Sequence, residues 1–268
     1  MSRLETVFGA RRAVGQSVLV TYMVAGDPEP AVTVPAMHAL VGAGVEVLEL
    51  GIPFSDPEAE GPDIQAGCER ALRHRVRLLD VIGMVRDFRK QDADTAVVLM
   101  GYVNSVEAMG YAAFARAAGE AGVDGVILVN LPPEEAEVLR PALAEQGVDL
   151  IFLLAPTTTD ARAKFVLGQA SGFVYYVSLK GTTGAGTLDV DSVHRRVSEL
   201  RAMTDLPIAV GFGIRDGDAA RRVGAFADGV VVGSALVRRM GELAATPAAI
   251  PDALAVLAGD LREAMDDR

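Results

Sequence analysis

A single cysteine, Cys68, leaves this chain no internal disulfide. Its place after the acidic loop at residue 60 marks it as a small apolar residue of a helix rather than a reactive thiol. No run of about 18 apolar residues occurs, so no transmembrane helix is expected. The start, Met1-Ser2-Arg3-Leu4-Glu5, lacks the apolar core of a secretory signal, which makes the cytoplasm the expected location. Cationic side chains are in deficit. A formal net charge of −11 argues against a broad nucleic-acid or anionic-membrane surface, because both need clustered Lys and Arg to displace counterions. Any anionic ligand must therefore be held locally. The three histidines, His38, His74 and His194, fall in helical stretches without metal-ligand spacing to Cys or acids, so no metal is expected. No Ser-His-Asp arrangement stands at the strand ends, and Lys180 could serve as a Schiff-base lysine only if its amine were buried, which its place in a glycine-rich loop argues against. Exact repeats, low-complexity tracts and Pro/Ser-rich linkers are absent as well.

What is present is a recurrence of short, apolar, often β-branched runs with helical stretches between them, the pattern of parallel βαβ units. Strands are expected near Val18 to Val24, Val45 to Leu50, Ala96 to Gly101, Gly125 to Val129, Leu150 to Leu154, Phe173 to Ser178, Pro207 to Gly211 and Gly229 to Val232. Helical patterns follow each one. Ala31 to Ala43, Ala112 to Ala121 and Asp189 to Met203 have helical period or composition, and Pro133-Glu134-Glu135 predicts a helix first turn with acids at the positive end of its dipole. An open dinucleotide-binding sheet would want a Gly-rich turn after the first strand, whereas Ala25-Gly26-Asp27-Pro28 offers one glycine and a proline. Eight units in this length predict α/β class, a closed (β/α)₈ TIM barrel forming one domain over residues 1–268, with extra helices before the first strand and at the end.

Barrels place their chemistry at strand C-terminal ends and in the loops that follow. Glu49 stands near the mouth of the second strand, where an ionised, unpaired carboxylate is costly and its pKa rises, so it is a candidate general acid or base. Glu60 lies in the next loop as a possible second carboxylate, while Tyr102, Asn104, Asn130 and Tyr175 occupy or follow later strands. A second site is assembled from Gly181 to Gly186, Gly211-Phe212-Gly213 and Gly233-Ser234. Glycine lets backbone N–H groups approach a ligand, and a helix starting at Ser234 aims its positive end at an anion, so the three turns predict a phosphate cradle.

The segment Leu48 to Pro57, with Tyr22 to Pro28, Gly181 to Gly184, Gly211 to Ile214 and Gly233 to Ala235, resembles the family of tryptophan synthase α subunits over nearly the whole chain. The resemblance implies a barrel that cleaves indole-3-glycerol phosphate to indole and glyceraldehyde 3-phosphate in tryptophan biosynthesis. It implies Glu49 as the mobile acid/base and Glu60 as the carboxylate that stabilises positive charge at the indole nitrogen. Tyr102, Tyr175 and Thr183 would shape the substrate pocket, and Gly184, Gly213, Gly233 and Ser234 would bind phosphate. Also implied are no cofactor in this chain, a pyridoxal-phosphate-bearing β subunit as partner in an allosteric α2β2 complex, and docking around Pro53, Asp56, Pro57, Asn104 and Asn130. The chain departs from the family pattern at Glu60 and Asn130, where aspartate is usual, at Val24, where threonine is customary, and at Leu179, often a polar or cationic position. Two other expectations follow from these departures: a weakly active or non-catalytic barrel that docks on and activates a β subunit, and a lyase retuned for a related phosphate substrate.

Overall fold

Period-two alternation is hidden in this sequence because both faces of nearly every strand are buried. A computed structural model describes residues 2–178, 189–211 and 213–267. Its strands are β1 (Val18–Val24), β2 (Val47–Gly51), β3 (Ala96–Gly101), β4 (Gly125–Leu128), β5 (Asp149–Leu154), β6 (Val174–Val177), β7 (Ile208–Gly211) and β8 (Gly229–Val232). All neighbours pair in parallel and β8 returns to β1, closing the barrel. One set of side chains, including Val20, Val47, Val98, Ile127, Ile151 and Val231, fills the lumen. The alternate set, such as Leu19, Leu48, Leu99, Val126 and Val230, packs outward against the helices.

Those helices are α1 (Arg3–Ala13), α2 (Pro30–Gly42), α3 (Pro62–Arg73), α4 (Leu78–Phe88), α5 (Val103–Met109), α6 (Tyr111–Ala121), α7 (Leu139–Glu145), α8 (Asp160–Leu167), α9 (Val190–Arg201), α10 (Gly217–Gly224), α11 (Ser234–Glu242) and α12 (Ile250–Asp266). Local chemistry sets their starts. Ser2 and Glu5 form a reciprocal capping box on α1, Pro30 and Pro62 open α2 and α3, and the Asp189 and Asp216 carboxylates accept from the N–H groups of Ser192 and Ala219. The terminal helices α1 and α12 are the predicted additions. Leu4 and Phe8 of α1 plug the N-terminal end of the barrel, Phe8 tilting against Phe173 with ring centroids 5.4 Å apart.

Two expectations shift. Val45 and Glu46 belong to the turn before β2, because the Val45 N–H donates to Leu40 and the Glu46 carboxylate accepts from the Leu19 N–H at 2.7 Å. Pro133–Glu135 forms an isolated 3₁₀ turn, and the α-helix restarts at Leu139. Pro141 explains the break. It has no N–H and would collide with the carbonyl four residues back inside a continuous helix, whereas the first turn of α7 tolerates it.

At the N-terminal end of the barrel the buried acids are paired. Asp124 accepts from the Val97 N–H at 2.8 Å, from Arg89 at 2.8 Å and from Arg3 at 2.9 Å. Glu46 pairs with Arg11 and Arg262, and Arg262 also donates to the Ser17 carbonyl at 3.0 Å, tying α12 to the barrel floor. Removing one partner of such a set leaves buried charge uncompensated. Asp124→Ala should lower unfolding stability by ~3 kcal/mol, measured by urea titration at neutral pH.

Candidate active site

A cavity of about 240 Å³ opens at the C-terminal ends of the strands. Tyr22, Glu49, Met100, Tyr175 and Val231 reach it from the strands, Glu60 to Ile64 from the loop after β2 and the start of α3. Gly213 to Arg215 line it from the turn after β7, and Gly233, Ser234 and Arg238 from the β8–α11 junction. The two sites separated in the sequence thus share one pocket. Glycine makes room for its aromatic wall: a Cβ on Gly51 would lie 2.1 Å from the Tyr22 hydroxyl oxygen, and one on Gly211 would lie 2.3 Å from that of Tyr175.

Glu49 points into the lumen at 0% exposure, and neither of its carboxylate oxygens has a hydrogen-bond partner among the described residues. Burial, with the charge of Glu60 adding to it, pushes its pKa up to about 8. Glu60 is 7% exposed with Oε2 unpartnered, and burial raises its pKa to about 7. Both carboxyls are therefore close to their titration point at neutral pH, and repulsion opposes ionising both together. A pair of this kind can hold one proton and exchange it with a ligand.

The loop that carries Glu60 is held from below. The Tyr102 hydroxyl accepts the Ala59 N–H at 3.1 Å while its ring stacks on Phe54, centroids 4.8 Å apart. Gln65 donates to the Glu60 carbonyl at 2.9 Å. Tyr102 is buried beside this loop, so it meets the cavity through the loop rather than as part of its lining. Asn130 accepts the Val103 N–H at 2.8 Å and donates to Asn104 at 3.1 Å, joining the loop after β4 to the start of α5. Asp56, Asn104 and Asn130 are exposed and Pro57 is half-buried, while Pro53 is buried beneath the loop.

On the opposite wall, Gly213, Gly233 and Ser234 adjoin the cavity, with α11 starting at Ser234 as expected. Thr183 and Gly184, with Leu179 and Lys180, lie outside the described residues. Arg238, one turn into α11, is bonded to Asp63 of α3 at 2.9 Å across the rim, and exposed Arg215 follows Gly213. These two guanidiniums bring local positive charge to the end of the cavity formed by Gly213, Gly233 and Ser234 in an otherwise acidic protein. Tyr22, Met100, Asp63, Arg215 and Arg238 are cavity residues that the sequence reading omits. Strand parity puts Tyr22 on the lumen face, and four-residue spacing puts Arg238 on the same helix face as Ser234, but neither signal separates a site residue from a core or surface one. Cys68 is buried in α3, as expected. Among the described residues no group of three or more His, Cys, Asp or Glu is arranged to hold a metal ion. No described helix is long and apolar enough to cross a membrane.

The family described as "Tryptophan synthase alpha chain" matches residues 8–266. The tryptophan synthase alpha chain of Thioalkalivibrio sulfidiphilus is 59% identical, the alignment covering 99% of this chain and 100% of that one. That of Alkalilimnicola ehrlichii is 57% identical over 99% and 97%. Among solved structures, tryptophan synthase subunit alpha from Legionella pneumophila superposes with a TM-score of 0.92 at 42% identity, covering 100% of both chains. A chain of Mycobacterium tuberculosis tryptophan synthase gives 0.89 at 37%, covering 98% of both.

Because both carboxyls sit above the ordinary value of 4.5, the folded chain binds protons that the unfolded chain has released, and stability falls as pH rises from about 4.5 toward about 8. Glu49→Gln removes the larger part of that loss. Its melting temperature should exceed that of the parent by ~4 °C or more at pH 8.5, with the gap closing below pH ~5. A gap independent of pH would show that Glu49 is solvated.

Proposed function

The chain belongs to the tryptophan synthase alpha chain family, as a carbon–carbon lyase that cleaves indole-3-glycerol phosphate to indole and glyceraldehyde 3-phosphate, and we propose that Glu49 and Glu60 divide the proton transfers of that cleavage. The retro-aldol step needs a proton on indole C3, relief of positive charge at the ring nitrogen, and loss of the side-chain hydroxyl proton. Glu49, held protonated near neutrality by its dry surroundings, delivers the proton to C3. Its carboxylate then takes the proton of the hydroxyl on the adjoining side-chain carbon as the C–C bond breaks, its electron pair returning to the indole ring and the oxygen becoming the aldehyde. Glu49 ends as it began. Glu60, the more readily ionised of the two, faces the ring N–H and stabilises the charge that forms there.

Substrate positioning follows from the opposite wall. Gly213, Gly233 and Ser234 hold the phosphoryl group through main-chain amides and the start of α11, and Gly184, outside the described residues, joins them by the family resemblance alone. Tyr175 bounds the indole end and Tyr102 steadies the Glu60 loop, while Thr183, outside the described residues, is assigned to the same pocket by the family resemblance alone. One domain spanning residues 1–268 carries all of these parts, and the cytoplasm is the proposed location.

The observation that carries this assignment is a carboxylic acid with no partner among the described residues, sealed in the lumen opposite an amide-rich turn. The same observation disfavours a barrel that only docks, since two unpaired buried acids destabilise a fold that has no use for their protons. The partner implied by the family is a tryptophan synthase β subunit, proposed as an α2β2 complex, with pyridoxal phosphate in the β subunit receiving the indole. Asp56, Pro57, Asn104 and Asn130 form the docking edge beside the cavity, with Pro53 shaping the loop from below. Movement of the Glu60 loop would then be felt by both subunits.

Purified chain supplied with indole-3-glycerol phosphate should release indole, faster with β subunit present. Glu49→Gln should reduce that rate by about 10³-fold without lowering stability. Retained activity in this variant would remove Glu49 from the chemistry. Glu60→Asp tests the departure at position 60: shortening the side chain shifts the carboxylate by about an ångström and should raise turnover of this substrate about tenfold. A fall instead would mean a pocket built around glutamate.

A further inference from the structure

Tyr22 has no role in the steps above, although its ring spans the cavity. On β1 it is the register partner of Glu49 on β2, and it is 5% exposed. The root of the side chain packs on the cradle: a Cβ on Gly233 would lie 3.2 Å from the Tyr22 Cβ. The tip ends over Gly51, two residues past Glu49, so close that any side chain larger than hydrogen at position 51 would collide with the hydroxyl. The ring therefore runs from the phosphate-binding turn to the strand bearing the acid. Its hydroxyl has no hydrogen-bond partner among the described residues, and Tyr22 lines the cavity. Burial and the charges of Glu60, Cys68 and Glu49 hold it above its ordinary pKa, so it remains a neutral donor.

Accepting the lyase assignment, the substrate is pinned at both ends, indole C3 against Glu49 and the phosphate ester in the cradle. Between them lie three carbons bearing two hydroxyls. Glu49 takes the proton of the first, and nothing assigned so far meets the second. We propose that the Tyr22 hydroxyl hydrogen-bonds this second hydroxyl, on the carbon between the breaking bond and the phosphate-bearing carbon, and so selects a glycerol chain over an unsubstituted one. A buried polar group paired only when the correct ligand arrives is an effective discriminator, since a ligand without the hydroxyl leaves it unsatisfied.

Tyr22→Phe deletes one oxygen and keeps the ring, so packing against Gly51 and Gly233 is preserved. Turnover of indole-3-glycerol phosphate should fall about tenfold in kcat/KM. In parallel, calorimetry with glycerol 3-phosphate and with propyl phosphate reads the hydroxyl preference directly. The parent should favour glycerol 3-phosphate about tenfold, and Tyr22→Phe should bind the two within about twofold of each other, with affinity for propyl phosphate unchanged. A variant that keeps the preference, or that weakens both phosphates equally, overturns the proposal. The parent assignment fails separately: a parent protein that forms no indole yet loses its hydroxyl preference on Tyr22→Phe would retain the contact and discard the lyase, whereas indole formation with the preference intact in the variant would do the reverse.

Discussion

Exclusion of water from the barrel lumen is the constraint on which the site depends. Inside a closed ring of eight strands an ionised group must find partners or give up its charge. The chain uses both solutions at opposite ends. Asp124 and Glu46, at the N-terminal end, are ringed by arginines and backbone amides. Burial still pulls the Glu46 pKa upward, with the Leu19 amide, Arg262 and Arg11 opposing it. At the other end Glu49 has no cation among its described neighbours and Glu60 adds a like charge, so the lumen keeps a proton near neutral pH. The same chemical group serves as a fastening in one place and as an acid in the other because its neighbours differ.

The cavity is built by removing side chains as much as by placing them. Gly51 and Gly211 leave the volume that the two tyrosine rings occupy, and Gly233 lets Tyr22 approach the cradle. The strand wall thereby fixes the spacing between Glu49 and the glycine-rich turns of the proposed phosphate site. A substrate that reaches both must have a chain of matching length, which turns strand packing into selectivity. Arg215 and Arg238 add cationic charge beside the glycine-rich turns, and Asp63 anchors the second of them to the helix that follows Glu60.

Much of this was legible in the residues. Each apolar run became a strand with its bounds within two residues of the expected ones, because a parallel strand buried on both faces needs a continuous β-branched run that a loop or surface helix cannot supply. α11 begins at Ser234, as the preceding glycine and the end of the Val-rich run suggest. Pro133 to Glu135 misled because the acids favour a helix start while Pro141, further on, decides where the helix can continue. Tyr22 is not legible as a site residue, since nothing in a strand sequence distinguishes a lumen tyrosine from a core one.

The order of elements, the count of strands and the placing of a carboxylate near the end of the second strand were determined by the sequence itself, because hydrophobic period and turn chemistry act over a few residues. Tertiary structure alone decided that Glu49 is buried and unpaired among its described neighbours, that Glu60 stands close enough to repel its charge, and that the Tyr22 ring runs from Gly233 to Gly51. Those properties are sums over residues distant in the chain, and burial and Coulomb interaction take their values only once the barrel has closed.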